Sequence, residues 1–172
     1  IWEIQESLHE LLSQVHLYPT EKDKYNGFLR NSRKIEYLSV RVLLKNLIDE
    51  PVGPIVYSDR HKPYIQQSDY RISISHSRYL TAIMLSKTKK IGLDLEFMSH
   101  KISGIERKFI NKDEVIIREP GKKKYHLYIH WCAKEALYKI CDKEGISIRK
   151  NITIEPFEVK DAGEIKGRAH TD

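Results

Sequence analysis

No apolar run in the chain is longer than a handful of residues, far short of the roughly 18 that a membrane-spanning helix needs, and no charged-then-apolar leader opens it. A membrane protein is not expected. Cysteine is nearly absent as well. Cys132 and Cys141 lie nine residues apart in what reads as one helix, which turns them about 900° relative to each other and onto opposite faces. They cannot pair, and they read as reduced thiols of a cytoplasmic protein. Without a CxxC or a Cys/His cluster at zinc spacing, neither a structural zinc nor a redox dithiol is expected. Repeats, low-complexity stretches and long linkers are also lacking, as is an initiating methionine; the start inside a helix-like stretch suggests a chain cropped from a longer one.

What is present suffices for a core. A chain of 172 residues, 40% of them apolar, can bury roughly 70% of the surface it exposes when unfolded, as one domain or as two small subdomains sharing a core. Thirty Lys and Arg against 24 Asp and Glu leave a net charge of +6. That surplus asks for an anionic partner, and nucleic acid, a phosphorylated cofactor and an acidic protein all fit.

Periodicity assigns the elements. "EIQESLHELLSQV" and "SRKIEYLSVRVLLKNLI" carry apolar residues at three- and four-residue steps and read as amphipathic helices, the second capped at Ser32 and stopped by Pro51 and Gly53. "TEKDKYNG" between them reads as a solvated loop. From Arg71 the period changes to two, so "RISISHS", "LTAIMLS" and "KIGLDLE" read as a three-stranded antiparallel meander. "GIERKFI" and "KDEVIIR" read as helical, with Asn111 and Glu114 spaced as a capping box. "EPGKKK" reads as a break before a long helix from about Tyr125 to Asp142, and the tail reads as two or three edge strands.

In "IGLDLE" the alternation sends Asp94 and Glu96 to one face, where two like charges need water or a cation. In the long helix, at about 100° per residue, Glu135 and Lys139 fall within about 20° of Tyr128, among Trp131 and Cys132, whereas Lys134 falls about 100° away from Glu135. A carboxylate and an ammonium in an aromatic sector are costly to desolvate unless something charged meets them. Carboxylate oxygens with an inward lysine are what a Mg²⁺-phosphate site requires. His76 ends the strand "ISISHS", and Pro63 in "HKPY" fixes a turn that holds Lys62 outward. Taken singly, each has an ordinary explanation: a hydrogen-bonded histidine, a surface lysine, a solvated acidic strand.

Together they resemble the 4'-phosphopantetheinyl transferase superfamily, in its longer, single-chain form related to the surfactin-synthetase activator. The resemblance rests on Ile91-Gly92-Leu93-Asp94 and, after a spacer of 36 residues, Trp131-Cys132-Ala133-Lys134-Glu135-Ala136-Leu137-Tyr138-Lys139. "KPY", "ISISHS", "RKFINKDE" and "RKIEYLSVRVLLKNL" extend it over most of the chain. His61 stands where the family commonly has glycine.

The resemblance implies an α/β (α+β) fold of two similar subdomains related by a pseudo-twofold, residues 1–90 and 91–172, each a small mainly antiparallel sheet with a long helix, and an active site in the cleft between them. It implies transfer of the phosphopantetheine arm of coenzyme A to a serine of an apo acyl or peptidyl carrier protein, with release of 3',5'-ADP. Asp94, Glu96 and Glu135 would hold Mg²⁺, with Mn²⁺ an alternative. Lys139 would stabilise charge on the pyrophosphate, and Glu135, directly or through a water, would be the base. Arg41, Lys62, Ser75 and His76 match the positions that grip the 3'-phosphate and adenine end, and Lys134 belongs to the same motif. The implied partner is acidic, and residues 101–124 hold eight basic side chains against four acidic ones. The expected protein is a monomer that binds neither nucleic acid nor membrane. A regulatory relative without catalysis and a basic nucleic-acid-binding module are the competing readings. The carboxylates and Lys139 oppose the first, and the lack of aromatics interleaved with basic residues opposes the second.

Overall fold

The computed structural model describes residues 1–99, 101–141 and 143–170, and the chain folds as two units, Ile1–Leu95 and Glu96–Asp172.

The first unit is organised by one long helix. Six consecutive residues, Tyr37 to Val42, are buried along helix α3 (Asn31–Leu47), more than one amphipathic stripe accounts for, because the helix is covered on two sides. Leu38 and Val42 pack on Leu11 of helix α1 (Leu8–Gln14), with Trp2, Ile4 and Leu8 around them. Val40, Leu44 and the following Ile48 pack on strand residues Ile55, Ile65, Ile72 and Ile83. Those strands are β2 (Ile55–Tyr57), β3 (Pro63–Ile65), β4 (Arg71–Ser77) and β5 (Leu80–Ser86). β4 and β5 pair antiparallel from Arg71↔Ser86 to Ser77↔Leu80, as the period of two predicts. Gly53 lets the chain leave α3, since a Cβ there would lie 2.2 Å from the Gln66 carbonyl oxygen.

Three expectations fail here, each for a local reason. The first residues are not helical: β1 (Trp2–Glu3) pairs with β5, and α1 begins only after Ser7, whose hydroxyl accepts the Glu10 N–H in a full capping box. "TEKDKYNG" is not a loop but most of helix α2 (Pro19–Asn26), started by Pro19 in its first turn and by Glu21, whose carboxylate accepts the Tyr18 N–H at 3.3 Å. "KIGLDLE" is not a strand, and the third strand of the sheet is β1. The side-chain hydroxyls of Ser73 and Ser75 take the N–H groups of Leu93 (2.9 Å) and Leu95 (3.2 Å), so the segment follows β4 with the expected two-residue step.

The second unit contains helix α4 (Ile102–Phe109), helix α5 (Pro120–Cys141), the short helix α6 (Ile148–Asn151) and the hairpin β6 (Ile152–Ile154) with β7 (Gly167–Ala169). Its core joins Ile102 and Phe109 of α4 to Leu127 and Tyr128 of α5. α5 starts at Pro120, so "EPGKKK" opens the helix instead of interrupting it; proline suits a first turn whose N–H groups lack helical partners anyway. Its expected end at Asp142 lies outside the described residues. "KDEVIIR" is not helical. Asn111 and Glu114 do form the expected reciprocal contact, Asn111 N–H to Glu114 at 2.9 Å, but the β-branched run Val115, Ile116, Ile117 continues as irregular chain and the Ile117 N–H goes to His126 Nδ1 at 3.1 Å. Cys132 and Cys141 are not joined in a disulfide, and among the described residues no helix is long and apolar enough to cross a membrane.

Each unit contains the same buried device. In the first, Glu21 pairs with Arg41 of α3 at 2.9 Å and accepts the N–H of Ile55 in β2 at 3.1 Å. In the second, Glu114 pairs with Lys134 of α5 at 2.7 Å and accepts the N–H of Ile154 in β6 at 2.8 Å. In both the glutamate also takes the backbone N–H three residues before it, and the cation follows it by 20 residues.

His126 gives the second unit an acid-sensitive point. Its ring is 2% exposed and lies against His130 at 4.6 Å and Phe157 at 4.5 Å. Burial first, and then the neighbouring His130, lowers its pKa from 6.5 to about 4. The unfolded chain therefore binds a proton that the folded chain rejects, so this stability is complete above pH 6.5 and is lost as pH falls toward 4. His126→Gln, which can still accept the Ile117 N–H, is expected to have a shallower fall in thermal midpoint than the parent between pH 6.5 and 4. Parallel curves would contradict this.

Candidate functional site

The sheet and helix of the first unit leave a cavity of about 300 Å³ walled by Lys24, Arg33, Arg41, His61 and His76, with Glu36, Phe28, Tyr37, Tyr57, Val40 and Ile74. Alternation along β4 brings His76 and Ile74 to the α3 side of the sheet. Arg41 is fixed rigidly: Nε donates to Glu21 at 2.9 Å, Nη1 donates to the Tyr37 carbonyl at 2.9 Å, and the guanidinium stacks 3.3 Å above the Tyr37 ring. Its Nη2 is buried without a hydrogen-bond partner, a costly condition in a folded protein. Lys24 lies 3.8 Å over the Tyr57 ring, and partial burial, then the Arg41 charge, pull its pKa below the usual lysine range. Burial above all pushes the Tyr37 phenol up to about 12. Glu36 is the one carboxylate in the cavity wall, and it is shared by Arg33 (2.6 Å) and His76 Nδ1 (3.7 Å). Gathered cations and aromatic faces suit a ligand carrying both phosphate and a flat ring.

The other residues singled out by sequence separate into distinct places. Ser75, one position from His76, points to the opposite face of β4, where its hydroxyl donates to Asp94 Oδ1 at 3.0 Å. Ser75 thus belongs with the carboxylate rather than with His76. Lys62 is half-buried and is not part of the cavity wall; its neighbour His61 is. In the second unit the Trp131 indole N–H donates to Glu96 at 3.3 Å. Trp131 and Glu135 are four apart on α5 and share a face, so Glu96 stands beside the face that carries Glu135. Glu135 and Lys139 are half-buried, as the wheel predicts, and Glu96 is exposed.

Lys134 faces the other way. Its ammonium is 0% exposed and is held by Glu114 at 2.7 Å and by the carbonyls of Phe109 (2.6 Å), Ile152 (2.8 Å) and Ile148 (3.4 Å). Burial lowers its pKa, opposed by Glu114. In this unit it ties α5 to the ends of α4 and α6 and to β6.

Asp94, Glu96 and Glu135 supply oxygen donors of the kind that Mg²⁺ and Mn²⁺ prefer. Among the described residues no group of three or more His, Cys, Asp or Glu is gathered as a metal site.

Lys24, Arg33, Tyr57 and His61 were not legible as a site. Lys24 sits in "TEKDKYNG", which lacks an apolar stripe, but Pro19 followed by Glu21 was a usable helix-start signal.

Residues 90–171 match the family described as the 4'-phosphopantetheinyl transferase superfamily. A comparison with curated proteins finds no match.

The geometry of Lys134 predicts a large structural cost. Lys134→Met leaves Glu114 buried without its cation and should lower unfolding free energy by about 3–5 kcal/mol. The double variant Glu114→Gln/Lys134→Met should recover part of that loss, read by chemical denaturation. A Lys134→Met protein as stable as the parent would contradict the assignment.

Proposed function

We propose that the chain is a member of the 4'-phosphopantetheinyl transferase superfamily, which its residues 90–171 match, and that it transfers the 4'-phosphopantetheine arm of coenzyme A to a serine of an apo acyl or peptidyl carrier protein. The observation that carries the reading beyond the family is the basic, aromatic-walled cavity of the first unit, whose chemistry suits the phosphorylated nucleoside end of coenzyme A. Arg41 and His76 hold the 3'-phosphate and adenine end there, joined by Lys24 and Arg33. The resemblance also assigns Lys62 and Ser75 to this end and Lys134 to cofactor binding. Lys62 remains a candidate at the edge of the site; Ser75, bonded to Asp94, and Lys134, buried against Glu114, act in this reading by orienting those carboxylates.

In the transfer, the carrier serine oxygen forms a bond to the β-phosphorus while the pyrophosphate bridge breaks, and 3',5'-ADP leaves with the electron pair. Glu135, directly or through a water, accepts the serine proton. Lys139 offsets charge that builds on the departing phosphate. Asp94, Glu96 and Glu135 would hold Mg²⁺ or Mn²⁺, which when bound supplies positive charge to the pyrophosphate. Ser75 orients Asp94 and Trp131 orients Glu96 by the hydrogen bonds described above.

An acidic carrier is supported by the basic surplus of residues 101–124, although Lys122 pairs with Glu119 (3.0 Å) and Lys123 with Glu106 (2.8 Å). The similarity of the two subdomains is supported by the repeated glutamate device. We further propose a monomer working in the cytoplasm.

The test is incubation with coenzyme A, Mg²⁺ and a panel of apo carriers, read as a mass gain on the carrier. Transfer by the parent, and its loss by at least about a hundredfold in a folded Asp94→Ala variant, is the expected result. A parent that modifies no carrier would overturn the transferase reading, and normal transfer by Asp94→Ala would overturn the metal assignment.

A further inference from the structure

His61 lines the cavity in a left-handed backbone conformation. Its φ is 58°, in the region that glycine occupies freely and that other residues enter at some cost, which is smaller for histidine, asparagine and aspartate than for most. The register of the β2–β3 hairpin imposes it. Tyr57 pairs with Pro63, so five residues must reverse the chain, and they do so with Ser58 N–H to Lys62 O at 3.0 Å and His61 N–H to Ser58 O at 2.8 Å. Glycine at position 61 would close this turn without strain, yet the position carries an imidazole, exposed and turned to the wall that also holds Lys24, Arg33, Arg41 and His76. Lys62, next in the chain, is not part of that wall.

We propose that His61 is a specificity-determining contact of this cavity, its imidazole N–H donating to the phosphate monoester of a bound 3'-phosphorylated nucleoside. The assignment rests on the coenzyme A reading above and adds a residue to it. Strain at a binding site is retained where the side chain gains more from the ligand than the backbone loses.

Calorimetric titration with coenzyme A and with dephospho-coenzyme A, which lacks that phosphate, separates the possibilities. His61→Gly should bind coenzyme A roughly fivefold to tenfold more weakly and bind dephospho-coenzyme A within about twofold of the parent. Its thermal midpoint should equal or exceed that of His61→Ala, which keeps the strain. Gln67, with φ 57° and outside the cavity wall, is the control: Gln67→Gly should relieve similar strain and leave both affinities unchanged. His61→Asn, whose residue type tolerates this φ, serves if the glycine variant fails to fold. Unchanged coenzyme A affinity in a folded His61 variant overturns the proposal while the coenzyme A reading stands. Equal losses for both ligands also overturn it, because the contact would then be to the nucleoside and not to its phosphate. A parent that binds neither ligand overturns both.

Discussion

A buried glutamate holding a buried cation is the constraint on which each unit depends. Glu21 and Glu114 have no surface to spare, at 4% and 8% exposure, and each gathers three elements: the turn that precedes it, a long helix through Arg41 or Lys134, and a strand through the N–H of Ile55 or Ile154. A buried charge is expensive, and such pairs rarely add net stability over a well-packed apolar substitute. Their consequence is registry. The carboxylate has acceptor positions for just these donors, so sliding the helix by a turn or the strand by two residues would leave a charge or an amide unpaired in the interior.

That registry reaches the candidate site. Arg41 presents its guanidinium to the cavity of the first unit because Glu21 and the Tyr37 carbonyl hold two of its three nitrogens. In the second unit Lys134 fixes the rotation of α5, and with it the face that carries Trp131, Glu135 and Lys139. Adjacent residues of one motif thus divide the work: Lys134 faces the core and Glu135 the half-buried site face, as a step of about 100° requires.

The elements legible in the sequence are those whose pattern and environment agree. α3, the β4–β5 pair and the body of α5 have long, regular apolar spacing and sit against a core on the expected face. α2 was not legible because it is held by Pro19 and by a carboxylate directed inward, with no apolar stripe to signal it. The acidic segment at Asp94 alternates like a strand and is not assigned as one, and serine hydroxyls of β4 take the amides of Leu93 and Leu95. Of the candidate residues, Asp94, Glu96, Glu135, Lys139, Arg41 and His76 were legible from motif and order. His61 and Lys24 reach the cavity wall only through a left-handed turn and a helix that composition does not announce.

Amide hydrogen exchange at Ile55 and Ile154 tests the role of the two glutamates most directly. Both residues open strands or sit within short ones, where fast exchange would be ordinary. If Glu21 and Glu114 organise their units, these two amides exchange among the slowest in their own units, and Glu21→Gln or Glu114→Gln speeds its own partner amide. Exchange at loop rates in the parent protein would contradict the account.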